Sequence, residues 1–271
     1  MSRLFTFVVA AALALAAMAA ANAVPAPPQT AFRQQLGAQL PPDLRFVDAE
    51  GRAVRLGDYL DTRPVVLVLG YHRCPNLCGL VMHGVLEALA AGGLQRSTYR
   101  VLAISIDPEE TAADANARRT IELAYAASLA PQQPAVPLEL QALVGKAADI
   151  RALAQQVGFE YQHDPTSAAD GSRYAHPAGI VILTPSGQVS RYLFGVRFDA
   201  RALRQALIDA GSGQVGTLAD RLLLLCAHFD PRTGRHDAAV MNLLRGVGLV
   251  LVLALGTYAW RHRRPESRAR P

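Results

Sequence analysis

The sequence is poor in cysteine, in charged residues and in internal repeats. It holds three cysteines and 18% charged residues in 271 positions, while glycine and proline occur at ordinary frequency. A chain of this length buries a sizeable core without disulfides. Its 51% hydrophobic content excludes the disordered, collagen-like and coiled-coil classes. The sequence therefore predicts a globular protein of one or two domains.

The central part of the chain also lacks an excess of basic residues. The net charge of the whole chain is +5, but residues 24–242 hold 20 Arg and Lys against 21 Asp and Glu. The excess lies in Arg3, Arg245 and five arginines after residue 260. Binding of nucleic acid needs a basic patch on the folded domain, so nucleic acid is excluded as a partner. The terminal charge indicates a membrane instead.

The two ends predict export and anchoring. Arg3, an apolar run over residues 4–21 and a small-x-small site predict a signal peptide over residues 1–23. An uncleaved membrane anchor is the alternative. Residues 243–260 form an apolar run of about 27 Å as a helix, followed by a basic tail over residues 261–271.

A basic cluster directly after the apolar run favours a transmembrane helix over a buried core helix and puts the tail in the cytoplasm. The predicted location is the inner membrane of a bacterium, with the domain on the periplasmic face. Three further segments complete the predicted organisation: a linker over residues 24–42, a domain over residues 43–212 and a membrane-proximal segment over residues 213–242.

Within the domain, apolar runs typical of buried strands alternate with helical periodicity. Strands are predicted at residues 65–71 and 99–106 and a hairpin at residues 179–184 and 188–194. Helices are predicted at residues 79–91, 112–128, 147–157 and 200–210. This order predicts an α/β fold of the thioredoxin-like kind, a central mixed sheet of four to five strands flanked by helices. The predicted fold class includes the C-terminal transmembrane helix.

Cys74 and Cys78 stand between the first predicted strand and the helix that follows it. The N-terminus of a helix favours thiolate over thiol, which raises both nucleophilicity and affinity for metals. A structural disulfide is one alternative. Structural zinc would need two more ligands, and only Cys226 remains among the thiols. A soft site of two thiolates and a third ligand suits Cu(I), or Cu(II) when an imidazole is added.

Four histidines are the candidates considered for that imidazole. His262 lies in the predicted cytoplasmic tail. His72 projects from the end of a strand, and His83 lies further along the helix. His176 lies in the loop before the strand at residues 179–184. In a thioredoxin-like arrangement that loop faces the dithiol, so His176 is the predicted third ligand.

Five segments resemble the Sco/SenC/PrrC family over about residues 40–240: GYHRCPNLCGLVM (70–82), AISIDPEET (103–111), VGFEY (157–161), YAHPAGIVILTPSGQVSRYLFG (174–195) and RLLLLCAHFDPRTGRH (221–236). The resemblance implies a thioredoxin-like domain that binds copper through Cys74, Cys78 and His176. It also implies a metallochaperone role, helping to assemble the binuclear copper centre in cytochrome c oxidase subunit II. The implied partners are this subunit or another copper oxidase, periplasmic thiol reductants and copper donors, and the membrane.

Two alternative functions are each compatible with part of the sequence. A thiol–disulfide reductase would keep the acceptor cysteines reduced through redox cycling of Cys74 and Cys78 alone. A peroxide-reducing enzyme would need a Thr or Ser before Cys74 at the usual offset, and none is present. The sequence therefore predicts a binding protein and not an enzyme, with thiol–disulfide oxidoreduction as the alternative activity.

Three further residues are ambiguous in the sequence. Asp107 matches an acidic position of the family near the site, or serves as a turn carboxylate before Pro108. Cys226 and His228 are either a second, membrane-proximal copper site or a thiol that receives or relays the ion, or else part of an apolar face with a buried thiol.

Overall fold

The computed structural model describes residues 30–74, 77–129, 137–163 and 173–216, together with the pairs 229–230 and 235–236. The chain divides into two units, residues 1–215 and residues 216–271. The strands of the first unit are β1 (Arg45–Asp48), β2 (Ala53–Arg55), β3 (Val65–Gly70), β4 (Arg100–Ser105), β5 (Leu140–Gly145), β6 (Gln162–His163), β7 (Tyr174–Ala175), β8 (Gly179–Leu183) and β9 (Val189–Phe194). Its α-helices are α1 (Leu77–Gly92), α2 (Ala112–Leu129), α3 (Ala147–Gln156) and α4 (Ala200–Gly211).

Seven of these strands form one mixed sheet in the order β2-β1-β5-β4-β3-β8-β9. The predicted parallel pair is confirmed as β3 and β4, and the predicted antiparallel hairpin as β8 and β9. The sheet is larger than predicted because β5 adds in parallel to β4, and β1 and β2 extend that side in antiparallel pairing. The short pair β6–β7 lies outside this sheet.

The central strands bury both faces, as their continuous apolar sequence predicts. In β3, Val65, Leu67 and Leu69 face one core, which α3 and the N-terminal segment cover. Val66 and Val68 face the other core, which α1 and α4 cover. Because side chains alternate along a strand, one short run of five aliphatic residues contributes side chains to both cores.

The segment predicted as a linker over residues 24–42 differs from that prediction where the structure describes it. From residue 30 onward it packs against the domain: Leu40 is fully buried, and the Phe32 ring meets the Phe159 ring at 5.2 Å. The Arg33 amide donates to the Gly158 carbonyl at 2.7 Å. Proline and glutamine indicate extended backbone, but an extended backbone with apolar anchors can pair with a neighbouring loop.

A cluster of charged side chains lies at the start of β4. Arg100 is 7% exposed, contacts Glu139 and the Tyr59 carbonyl, and donates to Asp61 Oδ2 at 3.1 Å. Arg63 donates to the same carboxylate oxygen at 2.6 Å. The hydrogen bond from Arg63 lowers the pKa of Asp61 to about 2.

Asp61→Asn is therefore expected to weaken the fold at neutral pH and to lose this effect in acid. The native carboxylate has a lower pKa than in the unfolded chain, so it stabilises above about pH 4 and this stabilisation disappears as the pH falls toward 2. Asp61 is 38% exposed, which reduces the expected loss to about 1 kcal/mol. Urea unfolding at pH 7 and pH 2.5 measures it.

Asp43→Asn is the matched control for this experiment. Asp43 is 85% exposed and lies 3.6 Å from Arg55, so its substitution should leave the unfolding midpoint unchanged. An effect of Asp61→Asn that is equally large at both pH values would contradict the assignment.

In the second unit, β10 (Phe229–Asp230) and β11 (Arg235–His236) pair antiparallel. The predicted signal peptide, transmembrane helix and cytoplasmic tail lie outside the described residues, as do Cys226 and His228. Of the helices in the described part of the chain, none combines the length and apolarity needed to cross a membrane.

Candidate metal centre

Three loops meet at one edge of the sheet because of its strand directions. β3 ends at Gly70, which pairs with Ser105 at the end of the parallel strand β4. β8 runs antiparallel to β3, with Val65 opposite Leu183, so the start of β8 lies toward the end of β3. The cysteine loop, the loop after β4 and the loop before β8 therefore emerge together.

Cys74 lies in the loop between β3 and α1, and its side chain is buried. Its amide donates to the Tyr71 carbonyl at 3.2 Å, which turns the chain toward the helix. α1 begins at Leu77, two residues earlier than predicted, so Cys78 stands in its first turn. The unpaired amides and positive dipole end of that turn favour thiolate in this region.

His176 lies in the loop before β8, half-buried among aromatic rings. Its ring centroid is 6.0 Å from that of Tyr71 and 5.9 Å from that of Phe159. Nδ1 lies 3.0 Å from the Pro177 carbonyl, and a carbonyl only accepts, so Nδ1 carries the proton. In this tautomer the lone pair is on Nε2, the nitrogen through which the ring would bind a metal ion.

Tyr71 thus connects the two predicted ligand loops. Its carbonyl accepts from the Cys74 amide, its ring meets that of His176, and its hydroxyl accepts from the Arg173 amide at 3.2 Å. Cys74 and His176 are brought to one side of the domain by a single buried aromatic residue. The contacts of Tyr71 with the Cys74 amide and the His176 ring indicate that the two loops form one site.

Glu110 holds the backbone of the cysteine loop from the loop after β4. Its carboxylate is 5% exposed and accepts from the amides of His72 at 2.7 Å and Arg73 at 2.6 Å. The Ser105 hydroxyl donates to the same carboxylate at 2.6 Å. A buried carboxylate needs such donors, so Glu110 and the loop fix each other.

Asp107 is fully buried beside Glu110. Its Oδ1 accepts from the Glu109 amide at 2.9 Å, which is the role of a turn carboxylate. Its Oδ2 accepts from Arg173 Nη1 at 3.0 Å, in the segment that leads to His176. Burial and the Asp107 charge raise the pKa of the nearby Tyr174 to about 12.

The imidazoles of His72 and His83 contact other parts of the domain and not His176. This agrees with the side-chain directions expected from the sequence. His72 Nε2 donates to the Leu143 carbonyl at 3.0 Å, and burial lowers the pKa of its imidazole. His83 stacks on Tyr125 at 4.0 Å and lies 3.5 Å from Glu122 between α1 and α2. Among the histidines of the described loops at this edge, His176 remains the predicted ligand.

Two of the three predicted ligands, Cys74 and His176, have described side chains. In the side chains that the structure describes, no group of three His, Cys, Asp or Glu could hold a metal ion. The side chain of Cys78 is not among them. Its contribution stays a prediction. Neither Arg173 nor the role of Glu110 was predicted from the sequence, although Glu110 lies within the AISIDPEET motif.

The fold and the site define a class: a thioredoxin-like α/β domain with a dithiol motif at the start of a helix and a histidine loop beside it. The SCO1/SenC family matches residues 33–209, and the chain belongs to this family. No curated protein sequence is significantly similar to it.

Solved structures share the fold. A protein from Aquifex aeolicus VF5 has 21% identity and a TM-score of 0.54 over 66% of this chain and 96% of its own. Arabidopsis thaliana ScoI with copper bound has 14% identity and a TM-score of 0.51 over 66% and 99%. A SCO1/SenC family lipoprotein from Bacillus anthracis str. Ames has the same identity, TM-score and coverage. At these identities the similarity shows the fold alone.

Proposed function

We propose that this chain is a copper metallochaperone that helps to assemble the binuclear copper centre of cytochrome c oxidase subunit II. The ligands are Cys74, Cys78 and His176. The proposal depends most on the contact of Tyr71 with both the Cys74 amide and the His176 ring. Membership of the SCO1/SenC family and the copper held by the Arabidopsis relative support it.

The donor set fits copper as cargo. Thiolates are soft ligands that suit Cu(I), and a neutral imidazole adds the nitrogen that Cu(II) favours. Three protein ligands leave a position open, so thiolates of an acceptor can replace them one at a time. The ion is then transferred without being released, and the chain performs no turnover of a substrate in the ordinary sense.

Reduction of the acceptor is the second candidate, supported by the thioredoxin-like fold and the position of Cys78 in the first helical turn. A thiolate of the pair attacks an acceptor disulfide, forms a mixed disulfide and releases one acceptor thiolate. The second thiolate of the pair then attacks the mixed disulfide. Cys74 and Cys78 are then joined in an intramolecular disulfide, and both acceptor cysteines are released in the reduced form.

The proposed location is the periplasmic face of a bacterial inner membrane. The apolar run at residues 243–260 and the basic tail after it support an anchor there, and the signal peptide at residues 1–23 supports export. Such a tether raises the effective concentration of the domain at a membrane-bound oxidase.

Titration of the reduced full chain with Cu(I) and Cu(II) tests the proposal. We expect one tightly bound ion per chain and, for Cu(II), a thiolate-to-copper absorption band. The loaded protein is then mixed with the apo copper domain of an oxidase subunit II, and native mass spectrometry follows the ion. Movement of copper to the acceptor is the expected result.

Two other results discriminate between the candidates. If the reduced chain binds no copper, the metallochaperone function is wrong. If it instead reduces the oxidised acceptor while remaining copper-free, the thiol–disulfide reductase is the function.

A further inference from the structure

We infer that Arg173 is a positioning residue, which sets the place of the His176 imidazole by binding Asp107 beside the cysteine loop. The inference rests on the proposed function, since it concerns the same metal site. A bridge of charged side chains then fixes the two ligand loops relative to each other.

One buried carboxylate receives an arginine from each of the two ligand loops. Asp107 Oδ2 lies 3.0 Å from Arg173 Nη1 and 3.6 Å from Arg73 Nη2. Arg73 is adjacent to Cys74, and Arg173 precedes His176 by three residues. The fully buried charge of Asp107 therefore links the residues flanking the predicted sulfur and nitrogen ligands.

Arg173 is held at two further points on the same side of the site. Its amide donates to the Tyr71 hydroxyl at 3.2 Å, and its Nη2 lies 2.8 Å from Glu109 Oε2. A guanidinium binds two carboxylates at once with its planar fork, which an ammonium cannot reproduce. The backbone leading into His176 is thus fixed through both the main chain and the side chain of Arg173.

Among the described residues, loss of Arg173 leaves Asp107 a single ion pair, the longer one to Arg73, which is 46% exposed. The segment leading into His176 then loses its charged side-chain anchor, and we expect the imidazole to sample more than one position. Two thiolates satisfy Cu(I) without a histidine, whereas Cu(II) depends on the imidazole. The consequence should therefore differ between the two oxidation states, which a general loss of stability would not produce.

The experiment compares Arg173→Ala and Arg173→Lys with the wild-type full chain. We expect Arg173→Ala to lower the affinity for Cu(II) on the order of 10-fold, the usual effect of removing a partner of a metal ligand. The thiolate-to-Cu(II) band should shift, while the affinity for Cu(I) changes much less. Arg173→Lys keeps the charge without the fork, so it should recover part of the Cu(II) affinity.

Arg52→Ala is the matched control. Arg52 Nε lies 2.7 Å from Asp48, another fully buried carboxylate, at a turn between β1 and β2. This variant also removes an exposed arginine from a buried aspartate, yet it should leave the Cu(II) band and both affinities unchanged.

A second readout uses the metal-free protein. NMR of the imidazole nitrogens should show His176 as a single Nδ1-protonated tautomer in the wild type and as a mixture in Arg173→Ala. Unchanged imidazole signals together with an unchanged Cu(II) band would overturn the inference. If the wild type binds no copper, the proposed function fails, and the imidazole signals alone decide whether Arg173 positions the ring. Should the alanine variant not fold, the lysine variant takes its place in both measurements.

Discussion

The Cys74→Ser variant is expected to lose the thiolate-to-Cu(II) band and to bind Cu(I) more than about 100-fold more weakly, beyond the usual cost of changing a partner of a ligand. A hydroxyl is a hard donor that stays protonated at neutral pH, so it replaces a thiolate poorly toward copper. Because Cys74 is buried, no water takes its place easily. Competition with a chromophoric chelator measures the affinity.

Two variants serve as matched controls for this prediction. Cys226→Ser removes a thiol that the proposed site does not use and should keep the full copper affinity. His176→Ala should abolish the Cu(II) band, whereas His163→Ala, which alters the ring beside Tyr174, should not. Copper binding that survives Cys74→Ser but not Cys226→Ser would place the site elsewhere in the chain.

Gly84→Ala is expected to destabilise the domain by about 2 kcal/mol, the usual cost of forcing an extra group into a packed core. Gly84 is buried in the middle of α1, and a Cβ added there would overlap the Val196 carbonyl oxygen. That oxygen belongs to the backbone, which cannot rotate away as a side chain does. The overlap should outweigh the higher helix propensity of alanine. Thermal unfolding should show Tm lower by ~5 °C.

Gly92→Ala in the same helix is the control. There the nearest atom to an added Cβ is the Ala200 carbonyl oxygen at 3.3 Å, a contact that a small shift relieves. This variant should unfold within a few degrees of the wild type. A Gly84→Ala protein as stable as Gly92→Ala would show that the loop after β9 does not approach α1 as closely as described.

The sequence predicted the elements whose periodicity is strong. The run at residues 65–71 and the hairpin around Ser186 and Gly187 have patterns that one kind of structure satisfies, and both are present. β5 was missed because six residues after a proline-rich stretch give no clear period, and the strand exists through its pairing with β4. β1 was also missed. It contains the buried Asp48, and the ion pair of Asp48 with Arg52 forms only in the folded turn.

Of the candidate site, only the local part could be predicted from the sequence. The spacing of Cys74 and Cys78 and the loop position of His176 follow from local motifs and from the order of strands. The contact of Arg173 with Asp107 joins residues 66 positions apart, and no sequence period relates them. Surface arginines are common in this chain, so only the buried partner distinguishes this one.

The place of β8 in the sheet has a consequence for the order of events during synthesis. β8 pairs with β3, although more than a hundred residues separate the two strands in the chain. Pairing across such a separation forms late, after the intervening helices are made. A chain that has completed only β3 to β5 holds both thiols of the motif but lacks His176, the predicted imidazole ligand. Capture of Cu(II) at the proposed site would therefore follow completion of the fold, whereas the two thiolates alone already suit Cu(I).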